Sequence, residues 1–551
     1  MEKIKVYMSR AAWVALMYTI MLGFAGCKDE PLVLSTTSDV NISGYFEKNA
    51  DQFSEFMKVL NASENAGFLG AYGAYTVFAP TNEGIAAYLK EQGKSKVEDL
   101  SIEELKNIVK FHVLLDTIYT TSFTDGKLPK LTMLGQYLIT GASNVNGQTS
   151  ITINRQANVV KGNIVVGNGI IHAIDHVLTP AKQTVAEMIH NNPNYSIFDT
   201  ALVETGWSAK LNSLPSDQQK WLTVLAESNQ ALIDSGITSY QALKKKYSNL
   251  TPTNPADSLN LYVAYHILED AKYLSDIVSA SSHATLAPLE VVTTKLEGET
   301  VLVNDDVFNE KHEPGIVLDR NLSDNSATNG VVHTAKAHFN IKVRKPQPEY
   351  WDLADQPEFR KLVGIFRNGK TQSINPFAGD KPLENITWQQ GAIIYQGNAG
   401  NGHFFGDRLE LPMGVQSARN QWVKFKTPLL VKGTYKVWVC YRRGGTATCQ
   451  PYFDGEPMSR TVNFGDYIPS GTEAEREAAG WKLYADVSSN NQGRYLGTVN
   501  IKTTDRHIIE FKAIAGGIAQ GIWWDMIHFI PVDMDQLYPR FKADGSRLNR
   551  P

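Results

Sequence analysis

The sequence contains little cysteine: only Cys27, Cys440 and Cys449 among 551 residues. That count excludes a disulfide-rich scaffold and a zinc site built from several thiolates. Cys440 and Cys449 lie symmetrically about Gly444-Gly445, between two alternating apolar runs that predict a two-residue β-hairpin. The two thiols would be directly opposite each other in such a hairpin, so we predict a disulfide between Cys440 and Cys449.

The chain also has little net charge. The net charge is -4, and it becomes -6 when Glu2, Lys3, Lys5 and Arg10 of the first 26 residues are left out. A nucleic-acid-binding surface needs clustered basic residues, so we expect no nucleic-acid partner. Motifs of catalysis are missing too, since the sequence has no nucleophile elbow, phosphate loop, zinc-binding helix or glycosidase-like carboxylate pair. We therefore predict no enzyme and no cofactor, and leave open a structural calcium ion in the C-terminal region.

Long hydrophobic runs are confined to the N-terminus. After a basic beginning, residues 11–25 form an apolar stretch that is too short for an ordinary membrane-spanning helix. The stretch fits a signal peptide over residues 1–26. The small residues before Cys27 resemble a bacterial lipobox, which implies that Cys27 is acylated and anchors the protein to a membrane.

The residues after this cysteine indicate a location. Lys28, Asp29 and Glu30 resemble the tag that directs lipoproteins to the outer face of the outer membrane in glycan-foraging Gram-negative bacteria. This resemblance implies a lipid-anchored protein that is exposed on the cell surface. Residues 27–38 would form its lipidated tether.

One stretch of sequence occurs twice. NGIIHAIDHVLTP begins at Asn168, and a weaker copy, NGVVHTAKAHF, begins at Asn329. Each copy carries a histidine three residues after its glycine: His172 in the first and His333 in the second. Repetition at this distance indicates that one structural unit is used twice.

Three segments in a fixed order identify the first unit. VFAPTN begins at Val77, FHVL covers residues 111–114, and GIIHAIDHVLTP closes the unit. Together they resemble the signature of the fasciclin (FAS1) domain, which implies an α/β fold and an association with adhesion. Thr81 or Asn82 is predicted to cap a helix. We assign this domain to residues 39–182.

A divergent second copy of the domain is assigned to residues 183–345. LTVLAESN takes the place of TVFAPTN, with Glu227 in the position of the proline. YHIL at residues 265–268 matches FHVL, but Lys336 stands where the first copy has Asp175. Properties implied by the family are therefore less safely transferred to this copy.

The motif segments contain polar side chains that we predict to be structural. They are Thr81, Asn82, His112, His172, Asp175, His266 and His333. A metal pair or a catalytic dyad of His112 and His172 is the alternative interpretation. Both histidines lie among apolar residues, and no cysteine or acidic pair accompanies them at ligand spacing. The resemblance implies that these rings hold backbone groups across the fold, so we predict no metal site.

Composition changes at residues 346–551, which are rich in Trp, Tyr, Phe and Gly and contain many short alternating runs. Such runs at close spacing predict an antiparallel β-sandwich. From about residue 388 to residue 533 their order resembles jelly-roll carbohydrate-binding modules. The predicted chain is thus multidomain α+β, with two fasciclin-like α/β domains followed by a jelly-roll-like sandwich.

The resemblance to carbohydrate-binding modules implies a sugar site. The apolar face of a sugar ring stacks on a flat aromatic side chain, while its hydroxyl groups need polar partners. Trp523 and Trp524 point to opposite faces of a strand, so at most one of them enters the core. The candidate glycan-binding residues are Trp388, Trp422, Trp481, Asn491, Arg494, Trp523, Trp524 and Asp525.

Two functions remain open. In the first, which we favour, the protein is a surface lipoprotein that binds extracellular polysaccharide beside an outer-membrane importer, as its export tag and aromatic C-terminal domain suggest. In the second, it is an adhesin or structural surface protein whose fasciclin domains bind a protein partner. Substitution of tryptophans in the last domain would abolish the first activity and spare the second.

Overall fold

The computed structural model describes residues 40–551, except 65, 72, 146–147, 217–219, 309–310, 399–401, 445, 486–489 and 518–520. Cys27, Lys28, Asp29 and Glu30, with the predicted signal peptide, lie outside the described residues. The described part divides into two compact units, with the boundary after Pro180. None of the helices in this part is long and apolar enough to cross a membrane.

The first unit is a seven-stranded sheet with helices. Its helices are α1 (Ile42–Lys48), α2 (Ala50–Ala62), α3 (Ala66–Gly70), α4 (Asn82–Glu91) and α5 (Ile102–Phe111). Its strands are β1 (Tyr75–Pro80), β2 (Val113–Leu114), β3 (Gly126–Leu131), β4 (Tyr137–Val145), β5 (Gln148–Ile153), β6 (Ala157–Val166) and β7 (Gly169–Ile174). The strand order is β2-β1-β7-β6-β5-β4-β3, and β1 and β7 are parallel while their other neighbours are antiparallel.

Local sequence explains the central elements of this unit. A capping box between Ser101 and Glu104 begins α5, whose Leu105, Ile108 and Val109 are buried on one face. Both β1 and β7 are almost entirely buried, because apolar clusters cover both faces of the sheet there. This explains why both strands are continuous apolar runs rather than alternating ones.

The second unit begins with a divergent copy of the same fold. Its helices are α6 (Val185–His190), α7 (Ser196–Glu204), α8 (Trp207–Leu211), α9 (Asn229–Asp234), α10 (Tyr240–Tyr247), α11 (Ser258–Tyr265) and α12 (Leu274–Ser279). Its strands are β8 (Leu222–Glu227), β9 (Ile267–Glu269), β10 (Ser282–Ala284), β11 (Val291–Glu297), β12 (Thr300–Val303), β13 (Asp306–Phe308), β14 (Lys311–Glu313), β15 (Ile316–Leu318), β16 (Asn325–Ser326) and β17 (Gly330–Ala335). The parallel pair is now β8 and β17, in the order β10-β11-β12-β15-β17-β8-β9.

The asparagine of the repeated Asn-Gly pair ties the chain together in the same way in both domains. The Asn168 side chain accepts a hydrogen bond from Ile42 N–H (2.9 Å) and donates to two carbonyls at the end of α3 (2.7 and 2.8 Å). Asn329 accepts from Val185 N–H (2.8 Å) and donates to two carbonyls at the end of α8 (2.7 and 2.9 Å). Each asparagine satisfies buried backbone groups that no strand or helix would otherwise pair.

The glycine of the pair is required by close packing. A Cβ atom at Gly169 would lie 2.1 Å from the carbonyl oxygen of Tyr75, and one at Gly330 would lie 2.0 Å from that of Leu222. These oxygens belong to the parallel partner strands, so any larger residue would push the strand pair apart. The repeated sequence is therefore explained by backbone packing.

The remainder of the second unit is an antiparallel β-sandwich with helices α13 (Pro357–Arg360) and α14 (Glu473–Ala478). Its strands are β18 (Glu349–Asp352), β19 (Thr371–Ile374), β20 (Ile386–Trp388), β21 (Ile393–Gln396), β22 (Arg408–Leu411), β23 (Trp422–Leu430), β24 (Gly433–Arg442), β25 (Thr448–Phe453), β26 (Glu456–Pro457), β27 (Val462–Asn463), β28 (Trp481–Leu483), β29 (Asn491–Ile501), β30 (Asp505–Ala515), β31 (Ile522–Pro531), β32 (Arg540–Phe541) and β33 (Arg547–Leu548).

Two sheets form this sandwich. The large sheet has the order β19-β21-β22-β31-β24-β29-β28, with β18 also paired to β31. The small sheet has the order β20-β23-β30-β25-β26, with β27 also paired to β25. Apolar side chains from both sheets fill the space between them, and Trp524 is fully buried there against Phe425, Phe464 and Phe511. The predicted sandwich architecture is confirmed.

The predicted disulfide is wrong. Cys440 lies in β24 of the large sheet and Cys449 in β25 of the small sheet, and both thiols are free and buried. β24 pairs with β29 and β31, whereas β25 pairs with β30. The chain therefore crosses between sheets after Arg442 instead of turning back as a hairpin. Alternation predicts both strands, but it does not say which sheet the second strand joins.

Candidate functional site

Thr81 and Asn82 hold the helix that follows β1. The Thr81 hydroxyl oxygen accepts a hydrogen bond from Gly84 N–H (3.3 Å), which caps α4. The Asn82 side chain accepts from Glu55 N–H and donates to the Asp51 carbonyl, both at 2.9 Å. Thr81 is thus the cap, and Asn82 joins α4 to α2.

His172 and His333 bridge backbone groups in the same way in the two domains. Nε2 of His172 donates to the Ile118 carbonyl (2.9 Å), and Nε2 of His333 to the Lys272 carbonyl (2.7 Å). Each Nδ1 accepts a backbone N–H at 3.3 Å, from residue 163 in the first domain and 324 in the second. Burial lowers the pKa of His172, only partly offset by its bond to the carbonyl, so its ring is neutral at pH 7.

His112 joins α5 to the closing segment of the first domain. Its Nδ1 donates to the Ile108 carbonyl (2.6 Å), and its Nε2 accepts from Leu178 N–H (2.9 Å). Burial lowers the pKa of His112 to about 4. The ring is therefore a neutral imidazole that pairs two buried backbone groups.

His266 occupies the same position in the second domain but has a different partner. Its Nδ1 faces the Tyr262 carbonyl (2.8 Å) and its Nε2 faces a carboxylate oxygen of Glu227 (2.9 Å). Both ring nitrogens therefore face oxygen atoms, whereas His112 faces one carbonyl and one backbone N–H. The second domain thus contains a fully buried histidine–carboxylate pair.

Glu227 is fully satisfied despite its burial. It also accepts from the Tyr262 hydroxyl, from Phe339 N–H and from Nδ1 of His338, each at 2.8 Å. Burial opposes the charge, but the charges and hydrogen bonds of His266 and His338 outweigh it and lower the pKa of Glu227 to about 2. Every acceptor position is occupied from within the domain, which leaves this carboxylate nothing to offer a substrate.

Asp175 also has a backbone role. Its two carboxylate oxygens accept from the N–H (2.7 Å) and the side-chain amide (2.8 Å) of Asn158. Burial opposes the charge, but these bonds outweigh it and lower the pKa of Asp175 below its ordinary value. Across the described residues, no group of three or more His, Cys, Asp or Glu side chains is arranged to hold a metal ion.

The predicted glycan-binding residues of the C-terminal domain fall into two groups, buried and partly exposed. Five of the proposed glycan-binding side chains are buried and cannot stack on or bond a ligand, which corrects the sequence interpretation. They are Trp388, Trp481, Asn491, Trp524 and Asp525. Trp524 belongs to the core between the sheets, and the Asp525 carboxylate accepts a hydrogen bond from the Tyr484 hydroxyl (2.5 Å).

Arg494 and Trp523 are partly exposed but engaged with their own surroundings. The Arg494 guanidinium lies over the Trp481 ring at 4.5 Å and donates to two backbone carbonyls (2.9 and 3.1 Å). Trp523 has the guanidinium of Arg408 at 4.2 Å and that of Arg442 at 5.4 Å from its ring. These cation–π contacts hold the Trp523 ring in place against the large sheet.

The chain's own C-terminal segment, residues 532–548, contacts the outer face of the large sheet. Gln536 accepts a hydrogen bond from the Trp438 indole (3.0 Å), and its carbonyl accepts one from the buried ammonium of Lys482 (2.9 Å). Phe541 belongs to one apolar cluster with Cys440 on this side. Trp438 and Cys440 are therefore buried on this face.

The outer face of the small sheet is open except at one end, where the Lys426 ammonium donates a hydrogen bond to the Ser281 hydroxyl of the second domain (2.9 Å), and we call it the open face. It consists of side chains at outward positions of β23, β30 and β25: Trp422, Lys424, Lys426, Thr448, Gln450, Tyr452, Arg506, Ile508, Glu510 and Lys512. Residues between them, such as Val423, Phe511 and Phe453, point into the core. The Lys424 and Lys512 side chains are 45% and 46% exposed.

Trp422 and Tyr452 are the aromatic residues of the open face. Trp422 in β23 is paired with Lys512 in β30, and Lys512 is paired with Gln450 in β25. Tyr452 lies two residues after Gln450 in β25. Trp422 and Tyr452 are separated by two inter-strand spacings across the sheet and by two residues along it. Their Cα atoms are therefore about 12 Å apart. Both rings are partly exposed, so the pair can contact separate units of one extended ligand.

Three charged side chains lie between the aromatic rings. The Lys512 ammonium lies 4.2 Å from the Tyr452 ring centroid, and that of Lys424 lies 5.5 Å from that of Trp422. Glu510 lies between the two ammonium groups, at 3.5 Å from Lys512 and 3.9 Å from Lys424. The face thus combines apolar ring surfaces with polar groups, the combination that a sugar ring requires.

Sequence reasoning found Trp422 but missed Tyr452, Lys424 and Lys512. Alternation in β25 places Tyr452 opposite the buried Phe453, which is a usable sign of outward orientation. The missing information is strand pairing, because β23 and β25 become neighbours of β30 only in the folded sandwich.

Comparison with known proteins identifies the repeated domain. Residues 51–180 and 193–336 each match the family described as the Fasciclin domain. Transforming growth factor-beta-induced protein ig-h3 from Sus scrofa is 23% identical over 301 residues, which cover 54% of this chain. The chain spans only 38% of that relative's length.

Two solved structures are similar to parts of the chain. A FAS1 domain pair from the insect cell adhesion molecule fasciclin I covers 54% of this chain and 96% of its own, with 17% identity and a TM-score of 0.25. A family 35 carbohydrate binding module from Clostridium thermocellum covers 30% of this chain and 99% of its own, with 12% identity and a TM-score of 0.16. At such scores the function of the C-terminal domain has to be argued from its own geometry.

Proposed function

We propose that this protein, which carries two fasciclin domains at residues 51–180 and 193–336 and a C-terminal β-sandwich, is a surface protein that binds extracellular polysaccharide. The open face is its binding site. The observation that supports this proposal is the placement of Trp422 and Tyr452 on one uncovered sheet surface, two strands apart.

Stacking supplies the main attraction in this proposal. A sugar ring placed over Trp422 or Tyr452 buries its apolar C–H face against the aromatic ring and removes apolar surface of both from water. Lys424, Lys512 and Glu510 lie at the level of the rings and bond hydroxyl groups at the edges of the sugar. Because the two rings are about 12 Å apart, a chain of several sugar units gains both contacts and a monosaccharide gains one.

The proposed location is the cell surface, with acylated Cys27 as the anchor. Its support is the sequence alone: the basic and apolar leader, the lipobox-like residues, and the Lys-Asp-Glu tag at residues 28–30. In this position the protein would hold polysaccharide close to an outer-membrane importer. The fasciclin domains would separate the glycan-binding domain from the membrane.

A fasciclin-type adhesin is the second candidate. Two observations favour it: the fasciclin domain is present twice, and one of the relatives found by sequence matches about half of this chain. In this function the fasciclin domains bind a protein partner, and the sandwich supports them. Substitutions on the open face would then leave binding unchanged.

Affinity electrophoresis of the full chain against a panel of polysaccharides tests the proposal. We expect at least one polymer to retard the protein, and Trp422→Ala or Tyr452→Ala to weaken that binding about tenfold, which corresponds to about 1.4 kcal/mol. Tyr467→Ala is the matched control, because Tyr467 is a 72% exposed tyrosine outside the open face. Retention of full affinity in both open-face variants would place the site elsewhere.

A further inference from the structure

The charge of the open face differs from that of the protein as a whole. The outward positions of β23, β30 and β25 carry three cations that face solvent, Lys424, Arg506 and Lys512, and the single carboxylate of Glu510, while Lys426 is hydrogen-bonded to the Ser281 hydroxyl. The whole chain has a net charge of -4. A locally positive face on an acidic protein favours encounter with negatively charged ligands.

The two lysines nearest the aromatic rings share one carboxylate. Lys512 and Lys424 lie 3.5 and 3.9 Å from Glu510, longer than the 2.7–2.9 Å of a charge-assisted hydrogen bond. Glu510 neutralises one ammonium charge, so one positive charge is left over between Trp422 and Tyr452. Both ammonium groups are nearly half exposed and can turn toward a ligand without leaving a buried charge behind.

We infer that the polysaccharide bound by the open face is anionic, carrying carboxylate or sulfate groups. This inference rests on the proposed function and narrows its ligand class. As a sugar ring stacks on Tyr452 it displaces the Lys512 ammonium from the ring face, and the ammonium then pairs with the acidic group of that sugar or of its neighbour. Lys424 does the same beside Trp422.

The test compares polymers that differ only in charge. The full chain is run by affinity electrophoresis against polygalacturonate and its carboxyl-reduced form, and against dextran sulfate and dextran. We expect at least a tenfold preference for the charged member of one pair, since charge-assisted hydrogen bonds contribute more than neutral ones. Preference within the first pair identifies carboxylate as the recognised group, and preference within the second identifies sulfate.

Lysine variants separate a site from general attraction to polyanions. Lys424→Gln combined with Lys512→Gln should weaken binding of the charged polymer about tenfold. Lys424→Arg combined with Lys512→Arg keeps both charges and should retain the binding. Lys244→Gln with Lys245→Gln, on the exposed surface of α10, is the matched control for loss of two charges and should have no effect. An equal loss of binding in this control variant would overturn the inference.

The remaining outcomes distinguish the two proposals. If the charged and uncharged members of every pair that binds retard the protein equally, the inference of an anionic ligand is overturned. The proposal that the protein binds polysaccharide is then retained. No retardation by these polymers or by the wider panel would overturn both.

Discussion

The two fasciclin domains have the same fold but different interiors around one histidine. His112 in the first domain is a neutral ring that pairs two backbone groups. His266 in the second contacts a buried carboxylate in the place of the backbone N–H. Three replacements accompany this change: Pro80 by Glu227, Ile108 by Tyr262 and Val177 by His338.

The comparison shows which features the fold itself requires. The Asn-Gly pair and the histidines His172 and His333 make the same contacts in both domains, although the surrounding core has changed. Their contacts are with backbone, so they hold the strands and loops in place. The shared motif thus explains the fold, and a binding function has to be sought on surfaces such as the open face.

The largest expected effect comes from removing the buried carboxylate. Glu227→Leu leaves the His266 and His338 rings and the Tyr262 hydroxyl without their acceptor. We expect a loss of about 3–5 kcal/mol in the free energy of unfolding, because three buried side chains lose the acceptor of their hydrogen bonds. Hydrogen exchange of the β8 and α11 amides in the full chain measures it.

Glu297→Leu is the control for this variant, because the Glu297 side chain is 73% exposed and lies 3.8 Å from Lys295. It should change the free energy of unfolding by less than about 0.5 kcal/mol. Equal, small effects of both substitutions would contradict a stabilising role of the buried Glu227 carboxylate.

Lowering the pH should destabilise the first domain through protonation of His112. Its folded pKa is about 4 against an ordinary 6.5, so the unfolded chain takes up the proton first as the pH falls. The neutral His112 ring makes its full contribution to the free energy of unfolding above about pH 6.5. This contribution is lost by about pH 4, a decrease of about 3 kcal/mol. Glu227, with a pKa lowered to about 2, should lose its contribution only between about pH 4.5 and pH 2.

Hydrogen exchange of β1 and β7 at several pH values checks the effect of His112. The free energy of opening should fall less steeply in His112→Asn than in the unsubstituted chain over about pH 6.5 to 4. Identical slopes in the two proteins would mean that His112 is not the group that titrates.

The smallest expected effect concerns Asp175 and its counterpart Lys336. Asp175→Ala removes both acceptors of Asn158, so we expect a loss of about 1–2 kcal/mol in the first domain. Lys336 is 55% exposed and makes a surface ion pair at 3.4 Å, so Lys336→Ala should cost less than about 0.5 kcal/mol. Thermal unfolding of the two variants measures both losses, and a larger loss for Lys336→Ala would reverse the comparison.

The parts of the fold that depend on local pattern could be predicted from sequence. The capping box at Ser101, the helical face of Leu105 and Ile108, and the repeated Asn-Gly segment all have local signatures. The C-terminal strands were recognisable from alternation, and so was the sandwich that they form. These features depend on neighbours in the chain, which the sequence displays directly.

The features that sequence reasoning missed depend on distant residues. The disulfide prediction failed because β24 and β25 join different sheets. Trp388, Trp481 and Trp524 could not be told from Trp422 by residue type, since burial depends on what the opposite sheet or loop places over each ring. Tyr452 becomes part of a site only through the pairing of β25 with β30.

Hydroxyl-radical footprinting of the full chain, with and without a polysaccharide that retards it, tests the central claim most directly. The claim that the open face binds glycan predicts that oxidation of Trp422 and Tyr452 falls when the polymer is added. Oxidation of Tyr467, a 72% exposed ring outside that face, should stay unchanged. Protection confined to the fasciclin domains, with Trp422 and Tyr452 oxidised as before, would contradict the claim.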